Sequence, residues 1–206
     1  MKANHIILFS VLFIVKLCAA SNPGITIRPV ALADFDAIRE LSIRTFGQAY
    51  GYTTTEQFDS LRILYNKCFD NEIADMQTLG NHFVGFVACH NNLVVGYLSA
   101  QDTATPNTIY GRFAVVEPTY KRGIFKMLMA QILRERPETE QIFCCTSRKN
   151  PTPQAFYMRN GGKPTSMDHC APYLQKALDP ANYVAFVFDK ETINAGLTKH
   201  LSVAQQ

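Results

Sequence analysis

Apolar residues recur along the chain with two different spacings, and the spacing indicates which segments are strands and which are helices. Ile25–Arg28 alternates as a short strand that Pro29 stops. Asp34 is placed to cap a helix, because apolar positions follow it at helical spacing. After Thr53, with Glu56 three residues on, a capping-box pattern predicts a second helix. The apolar faces of these two helices are Phe35, Ile38 and Leu41, and then Phe58, Leu61, Tyr65 and Cys68.

Strand patterns dominate the middle of the chain. His82–Cys89 and Leu93–Ala100 are predicted to form a hairpin around an Asn91-Asn92 turn, and Thr108–Val116 is a third strand. The order of strand, two helices, three strands, helix, strand, helix and strand predicts one α/β domain with a mixed central sheet flanked by helices. Its last four elements are a helix Ile124–Arg134, a strand Gln141–Thr146, a helix Pro153–Asn160 and a strand Tyr183–Phe188.

Composition supports a globular domain and weakens two classes of partner. The chain has 206 residues, of which 47% are hydrophobic and 18% are charged, enough apolar material for one core. The formal net charge is +3, and Lys2 and Lys16 in the N-terminal segment contribute to it. The rest of the chain is nearly neutral, so we expect neither nucleic acid nor an anionic membrane surface as a partner.

The first residues resemble a secretory signal. Lys2 supplies positive charge, Ile6–Val15 is apolar apart from Ser10, and small residues follow at Ala19 and Ala20. The pattern predicts a signal peptide over residues 1–20, a single domain over 21–206, export to the periplasm or the medium, and no stable membrane span after cleavage. The alternative is an uncut apolar extension that packs on the domain or anchors it.

Cysteine spacing argues against a metal site. After that cleavage five cysteines remain, an odd number, so at least one thiol is unpaired or pairs with another molecule. The sequence holds no C-x-x-C pair, and the spacings are not those of a zinc site. An oxidising compartment would permit one or two disulfides. The five are Cys68, Cys89, Cys144, Cys145 and Cys170.

Two motifs in the second half carry a family resemblance. In the first, Val116–Leu128, a strand ends in Val-Glu-Pro, and the basic loop Lys121-Arg122-Gly123 then opens a helix. Unpaired N–H groups at a helix N-terminus suit a pyrophosphate, and glycine lets the backbone approach a ligand. In the second motif, Asn150 is followed seven residues later by Tyr157, and four more bring Gly161. Together these motifs resemble those of the GNAT superfamily of N-acetyltransferases.

The resemblance implies a GNAT-like acyl-CoA N-acyltransferase fold with acetyl-CoA as the acyl donor. The strand ending at Val116 would splay from its parallel neighbour Gln141–Thr146, and the pantetheine arm would pair with backbone in the space between them. Asn150 would either orient that arm or cap the next helix. The candidate donor-binding residues are Ala114, Val115, Val116, Lys121, Arg122, Gly123, Ile124, Phe125, Lys126 and Asn150.

The catalytic candidates are Tyr157 and Asp102. In the family, the residue matching Tyr157 protonates the departing CoA thiolate, and a phenol holds its proton at neutral pH because its ordinary pKa is about 10. No carboxylate lies on the strand Thr108–Val116, so Asp102 is the candidate general base. An amine of low pKa or a water relay would need none. The acceptor would lie near the Gly47–Tyr52 loop.

Three hypotheses follow. The first is an N-acetyltransferase that moves acetyl directly from acetyl-CoA to a primary amine of a small molecule or protein. The second is a catalytically impaired GNAT-like module that binds CoA or a protein partner, since Gly123 comes one residue early and Gly162 and Pro153 replace the usual Phe and Ala. The third is an unrelated α/β protein, which would lack the splayed strands.

Overall fold

The described part of the chain follows the predicted order of elements and adds one short strand, β6. A computed structural model describes residues 24–120, 123–148, 150–167, 181–192 and 195. The signal peptide predicted over residues 1–20, Lys121, Arg122 and Cys170 lie outside the described residues. The elements are β1 (Ile25–Pro29), α1 (Phe35–Ala49), α2 (Thr55–Thr78), β2 (Phe83–His90), β3 (Leu93–Asp102), β4 (Thr108–Val116), α3 (Ile124–Glu135), β5 (Gln141–Ser147), α4 (Pro151–Arg159), β6 (Lys163–Thr165) and β7 (Tyr183–Asp189).

The strands form one mixed sheet, which confirms the predicted fold class. Their order is β1-β2-β3-β4-β5-β7-β6. Five of the six neighbouring pairs are antiparallel, and β4 and β5 are parallel. The chain can make the parallel pair because α3 crosses over between the two strands.

Helices cover both faces of this sheet. On one face α1 and α2 bury an aromatic cluster against β2, β3 and β4, in which the rings of Phe35 and Phe69 and those of Phe35 and Tyr97 meet edge to face. On the other face α3 buries Ile124, Leu128 and Ile132 against the same strands. Two-sided burial explains why β2 and β3 are apolar at nearly every position.

The starts of the first two helices differ in detail from the prediction. Asp34 precedes α1, but its carboxylate makes no capping hydrogen bond to that helix: it accepts two hydrogen bonds of 2.7 Å from Arg28 and one of 2.8 Å from the Ala31 N–H, which caps the short 3-10 turn Leu32–Asp34. Arg28 thereby holds the pKa of Asp34 below its ordinary value. The predicted capping box at Thr53 and Glu56 is wrong by one residue. Thr54 and Gln57 form it, because the extended backbone of Thr54 lets its hydroxyl reach the Gln57 N–H.

Gly96 lets α3 lie close against the sheet. A Cβ added there would meet Ile124 Cγ2 at 2.9 Å and Leu128 Cδ1 at 3.3 Å, and both side chains are fully buried. We expect Gly96→Ala to lower the free energy of unfolding by about 1–3 kcal/mol, because neither side chain has room to retreat. Urea denaturation measures it, with Gly111→Ala as the control, since the nearest atom there is 3.6 Å away. Equal losses in both variants would contradict the expectation.

Candidate active site

A wedge-shaped gap opens between β4 and β5. The two strands pair from Thr108 with Gln141 to Gly111 with Cys144. Beyond that point β4 continues to Val116 against β3, and β5 continues to Ser147 against β7. We call the space between Arg112–Val116 and Cys145–Ser147 the β4–β5 gap. Its presence removes the hypothesis of an unrelated α/β protein, which rested on the absence of splayed strands.

Backbone groups of Ala114 and Val116 face this gap. The Glu117 N–H donates to the Val95 carbonyl at 2.8 Å, so Glu117 points toward β3. Successive residues of an antiparallel strand alternate in direction. Val115 therefore also points its backbone groups at β3, while those of Ala114 and Val116 point the other way. The two residues expected to pair with a pantetheine arm thus present N–H and C=O groups at the gap.

A bulge at Arg112 marks the point where the strands diverge. Gly111 pairs with Ala100 and Phe113 with Ser99, which leaves Arg112 as the extra residue of β4. Its side chain is buried under α2, where Nε lies 2.9 Å from Glu72 Oε2 and the guanidinium also contacts Asp75 and Gln101. Glu72 further accepts hydrogen bonds from Tyr97 and Ser99. This buried polar network was not found from the sequence.

The N-terminus of α3 lies beside the end of β4. Gly123 precedes the helix with a φ of 88°, in the left-handed region that favours glycine. The N–H groups of Ile124, Phe125 and Lys126 belong to the first turn, which has no intrahelical acceptor for them. The Ile124 side chain is in the core, so any contact it makes with a donor is through backbone. Lys126 is half-buried in the same turn.

Two side-chain contacts brace this end of the site. The Phe125 ring meets Phe156 of α4 edge to face, with centroids 5.2 Å apart. Tyr120, just before the basic loop, has its hydroxyl 3.0 Å from His90 Nδ1 at the end of β2. These contacts connect both sides of the loop to the rest of the fold. Neither pair was predicted, because the partners are about 30 residues apart and no local pattern joins them.

Tyr157 lies at the closed end of the gap. Its ring packs on Phe186 and Phe188 of β7, with centroids 5.2 and 5.8 Å away. Its hydroxyl forms a hydrogen bond with Cys144, the last residue of β5 that pairs with β4. Burial raises the pKa of the phenol well above its ordinary value, and the thiols of Cys144 and Cys145 raise it further. The hydroxyl therefore holds its proton throughout the neutral range.

Asn150 lies on the β5 side of the site, between the end of β5 and the start of α4. It is the residue before α4, and it is buried, yet its side chain makes no capping bond. It forms a hydrogen bond with the Tyr50 side chain at the end of α1. The Gln154 amide holds the turn instead, donating to the carbonyls of Ser147 and Arg148 at 3.0 Å. Of the two roles expected for Asn150, helix capping is not the one observed.

Asp102 is not brought to the gap. It ends β3 opposite Ile109, near the start of β4. Its carboxylate accepts a hydrogen bond from Arg136 Nε at 2.8 Å and lies 3.1 Å from His82 Nδ1. Arg136 follows the C-terminus of α3, whereas the gap adjoins the N-terminus of that helix. Asp102 thus forms an ion pair at the opposite end of α3, away from the β4–β5 gap.

The described residues contain free thiols and no candidate metal site. Among the described residues, the cysteines Cys68, Cys89, Cys144 and Cys145 are free thiols. No group of three or more His, Cys, Asp or Glu side chains gathers there as a metal site. None of the helices in the described ranges combines the length and the apolar character needed to cross a bilayer.

Similarity to known proteins is found by comparison of structures and not by comparison of sequences. No protein-family model and no curated protein matches the sequence. The PaiA N-acetyltransferase of Thermoplasma acidophilum, solved with coenzyme A, is similar with a TM-score of 0.60 and 20% identity over 80% of this chain and 98% of that chain. A GNAT-family acetyltransferase of Staphylococcus aureus gives 0.59 and 15% over the same shares. The ribosomal-protein-S18-alanine N-acetyltransferase of Escherichia coli gives 0.52 and 13% over 80% and 93%.

The described chain has the GNAT fold. The similar structures are covered almost end to end, and this chain has a mixed sheet with one parallel pair, β4 and β5, among its described strands. At these identities the likeness extends to the fold and not to the acceptor.

Proposed function

We propose that this protein is an N-acetyltransferase that moves an acetyl group from acetyl-CoA to a primary amine by direct transfer. The observation that carries the proposal is the β4–β5 gap, with the backbone groups of Ala114 and Val116 on one side and the Tyr157 hydroxyl at its closed end. The N-terminus of α3 adjoins the same strand end. These features together match what an extended thioester with a pyrophosphate needs.

The residues present fit such a donor. A pantetheine arm is an extended chain with amide groups, so it can pair with the outward backbone of Ala114 and Val116 as an added strand would. The first-turn N–H groups after Gly123 suit the pyrophosphate, and we include Lys121, Arg122 and Lys126 as charges beside it. The donor supplies an acetyl thioester whose carbon is open to attack by an amine.

Tyr157 is the general acid that protonates the leaving sulfur in this reaction. As the amine nitrogen bonds to the acetyl carbon and the carbon–sulfur bond breaks, the sulfur gains negative charge. The neutral phenol gives its proton to that sulfur, and the proton that the amine nitrogen loses as the amide forms returns to the phenolate through water. Its raised pKa does not prevent this, because the burial that raises the pKa of Tyr157 also raises the pKa of the Cys144 thiol beside it. A thiolate formed there would be a correspondingly stronger base.

Acetyl-CoA binding is the direct test. We expect wild-type protein to bind acetyl-CoA saturably in calorimetry, and Val116→Pro to weaken that binding about tenfold or more, since proline removes the N–H that faces the gap. The β3–β4 ladder should survive, because that N–H is not part of it. Val116→Ala keeps the N–H and is the matched control.

The outcomes separate clearly. Absence of binding by the wild type would sink the proposal. Equal affinities for Val116→Pro and Val116→Ala would show that the donor is not held by the backbone of β4. Binding without transfer to any amine would favour the catalytically impaired binding module.

A further inference from the structure

Tyr50 lies beside the β4–β5 gap on the face covered by α1 and α2. Its ring stacks on Phe46, with centroids 6.3 Å apart, and Phe46 meets Phe113 of β4 at 6.0 Å. Its hydroxyl forms a hydrogen bond with Asn150, which follows the end of β5. The stacked pair Phe46 and Tyr50 therefore reaches from the β4 flank to the β5 flank.

Tyr183 completes this border. It lies opposite Ser147 at the end of β5, and its phenol lies near those of Tyr50 and Tyr65 and near the Cys68 thiol. We call Tyr50, Asn150 and Tyr183 the aromatic rim. An amine that approaches the gap from this face would meet the aromatic rim, and the opposite face is covered by α3.

The rim is uncharged at neutral pH. Burial raises the pKa values of the Tyr50 and Tyr183 phenols and of the Cys68 thiol, so all three keep their protons. The nearby carboxylates are already paired: Glu72 is held by Arg112, Tyr97 and Ser99, and Glu117, at the end of β4, forms an ion pair with Arg44 of α1. A ligand with several positive charges would lose its hydration here and contact only neutral groups of the rim. Desolvating those charges is therefore unfavourable. A flat apolar ligand would gain ring contacts.

We propose that the acceptor is a primary amine carried on an aromatic or apolar body, and that Tyr50 selects for it. This inference rests on the proposed function and names its substrate class. It also accounts for a reaction without a carboxylate base at the rim. Burial next to neutral groups lowers the pKa of an amine, so the nucleophile reaches the thioester without its extra proton.

The test uses the purified protein with saturating acetyl-CoA and follows release of the CoA thiol. Three amines serve as probes: 2-phenylethylamine, butylamine and 1,4-diaminobutane, which have one charge and a ring, one charge and no ring, and two charges. We expect kcat/KM for 2-phenylethylamine to exceed that for 1,4-diaminobutane about tenfold or more. Tyr50→Ala should remove the preference in a protein that still binds acetyl-CoA saturably. Tyr50→Phe keeps the ring and should retain it.

Several results would overturn the inference. Equal or better use of 1,4-diaminobutane would do so, as would an unchanged preference in a folded Tyr50→Ala protein. Acetyl-CoA binding with no transfer to any of the three amines would also overturn it, while leaving the donor site in place. Loss of acetyl-CoA binding in the wild type would instead remove the proposed function and the inference with it. The wild-type ranking decides the matter even where Tyr50→Ala fails to fold.

Discussion

Tyr157→Phe is expected to slow acetyl transfer about 100-fold or more while leaving the affinity for acetyl-CoA unchanged. The substitution removes the hydroxyl beside Cys144 and keeps the ring that packs on Phe186 and Phe188. The sulfur then leaves without a proton donor, so the transfer step slows and donor binding does not. Single-turnover kinetics and calorimetry measure the two quantities separately.

Tyr110→Phe is the matched control for this prediction. Tyr110 of β4 is also a buried tyrosine. Its hydroxyl lies 3.0 Å from Cys145 Sγ, on the face of the sheet opposite to Tyr157. Loss of that hydroxyl should cost stability without a comparable loss of rate. If both variants transfer acetyl at the wild-type rate, Tyr157 has no part in the mechanism.

The pH dependence follows from the direction of the Tyr157 shift. Its pKa is raised above the ordinary value of about 10, so the phenol stays protonated where an exposed tyrosine would begin to ionise. We measure kcat with the amine at saturation, in the wild type and in Tyr157→Phe. Between pH 7 and about pH 10 we expect no fall in the wild-type kcat that is absent from Tyr157→Phe, because the phenol of Tyr157 does not ionise in that range. A decline centred below pH 10 in the wild type alone would contradict the assigned burial of this group.

Local patterns predicted most of the fold, because strands and helices leave their periodicity in the residues themselves. β4 was predicted with the bounds Thr108–Val116 that the structure has. The Asn91-Asn92 turn was predicted from composition, and both residues have positive φ, 49° and 66°. β6 escaped detection, since its three residues, Lys163–Thr165, are too few to show a period and include a proline.

The site was predictable only where one segment carries it. The strand end, Gly123 and the helix start are contiguous in sequence, so a motif can represent them. The pairs Arg112 with Glu72 and Tyr50 with Asn150 join residues 40 and about 100 positions apart, and no local pattern encodes such a contact. One signal was present: an isolated glycine in a strand, Gly111, often marks a bulge, and the bulge residue is its neighbour Arg112.

Arg112→Met is expected to lower the free energy of unfolding by about 3–5 kcal/mol, because it leaves the buried carboxylate of Glu72 without its cation. The methionine fills much of the space of the arginine stem, so lost packing contributes little. Urea denaturation measures the effect. Of the two carboxylates, Asp75 can be solvated after the substitution, because a third of its side chain is exposed. Glu72 cannot, because only 6% of its side chain is exposed.

Adding Glu72→Gln to Arg112→Met should recover part of that loss, because the amide removes the unpaired charge and still accepts from Tyr97 and Ser99. A loss below about 1 kcal/mol in Arg112→Met would contradict the expectation that the buried carboxylate depends on its cation. Because Arg112 is the residue where β4 bulges and leaves β5, its ion network fixes the place at which the gap opens. We therefore expect the double variant to regain stability more completely than it regains affinity for acetyl-CoA.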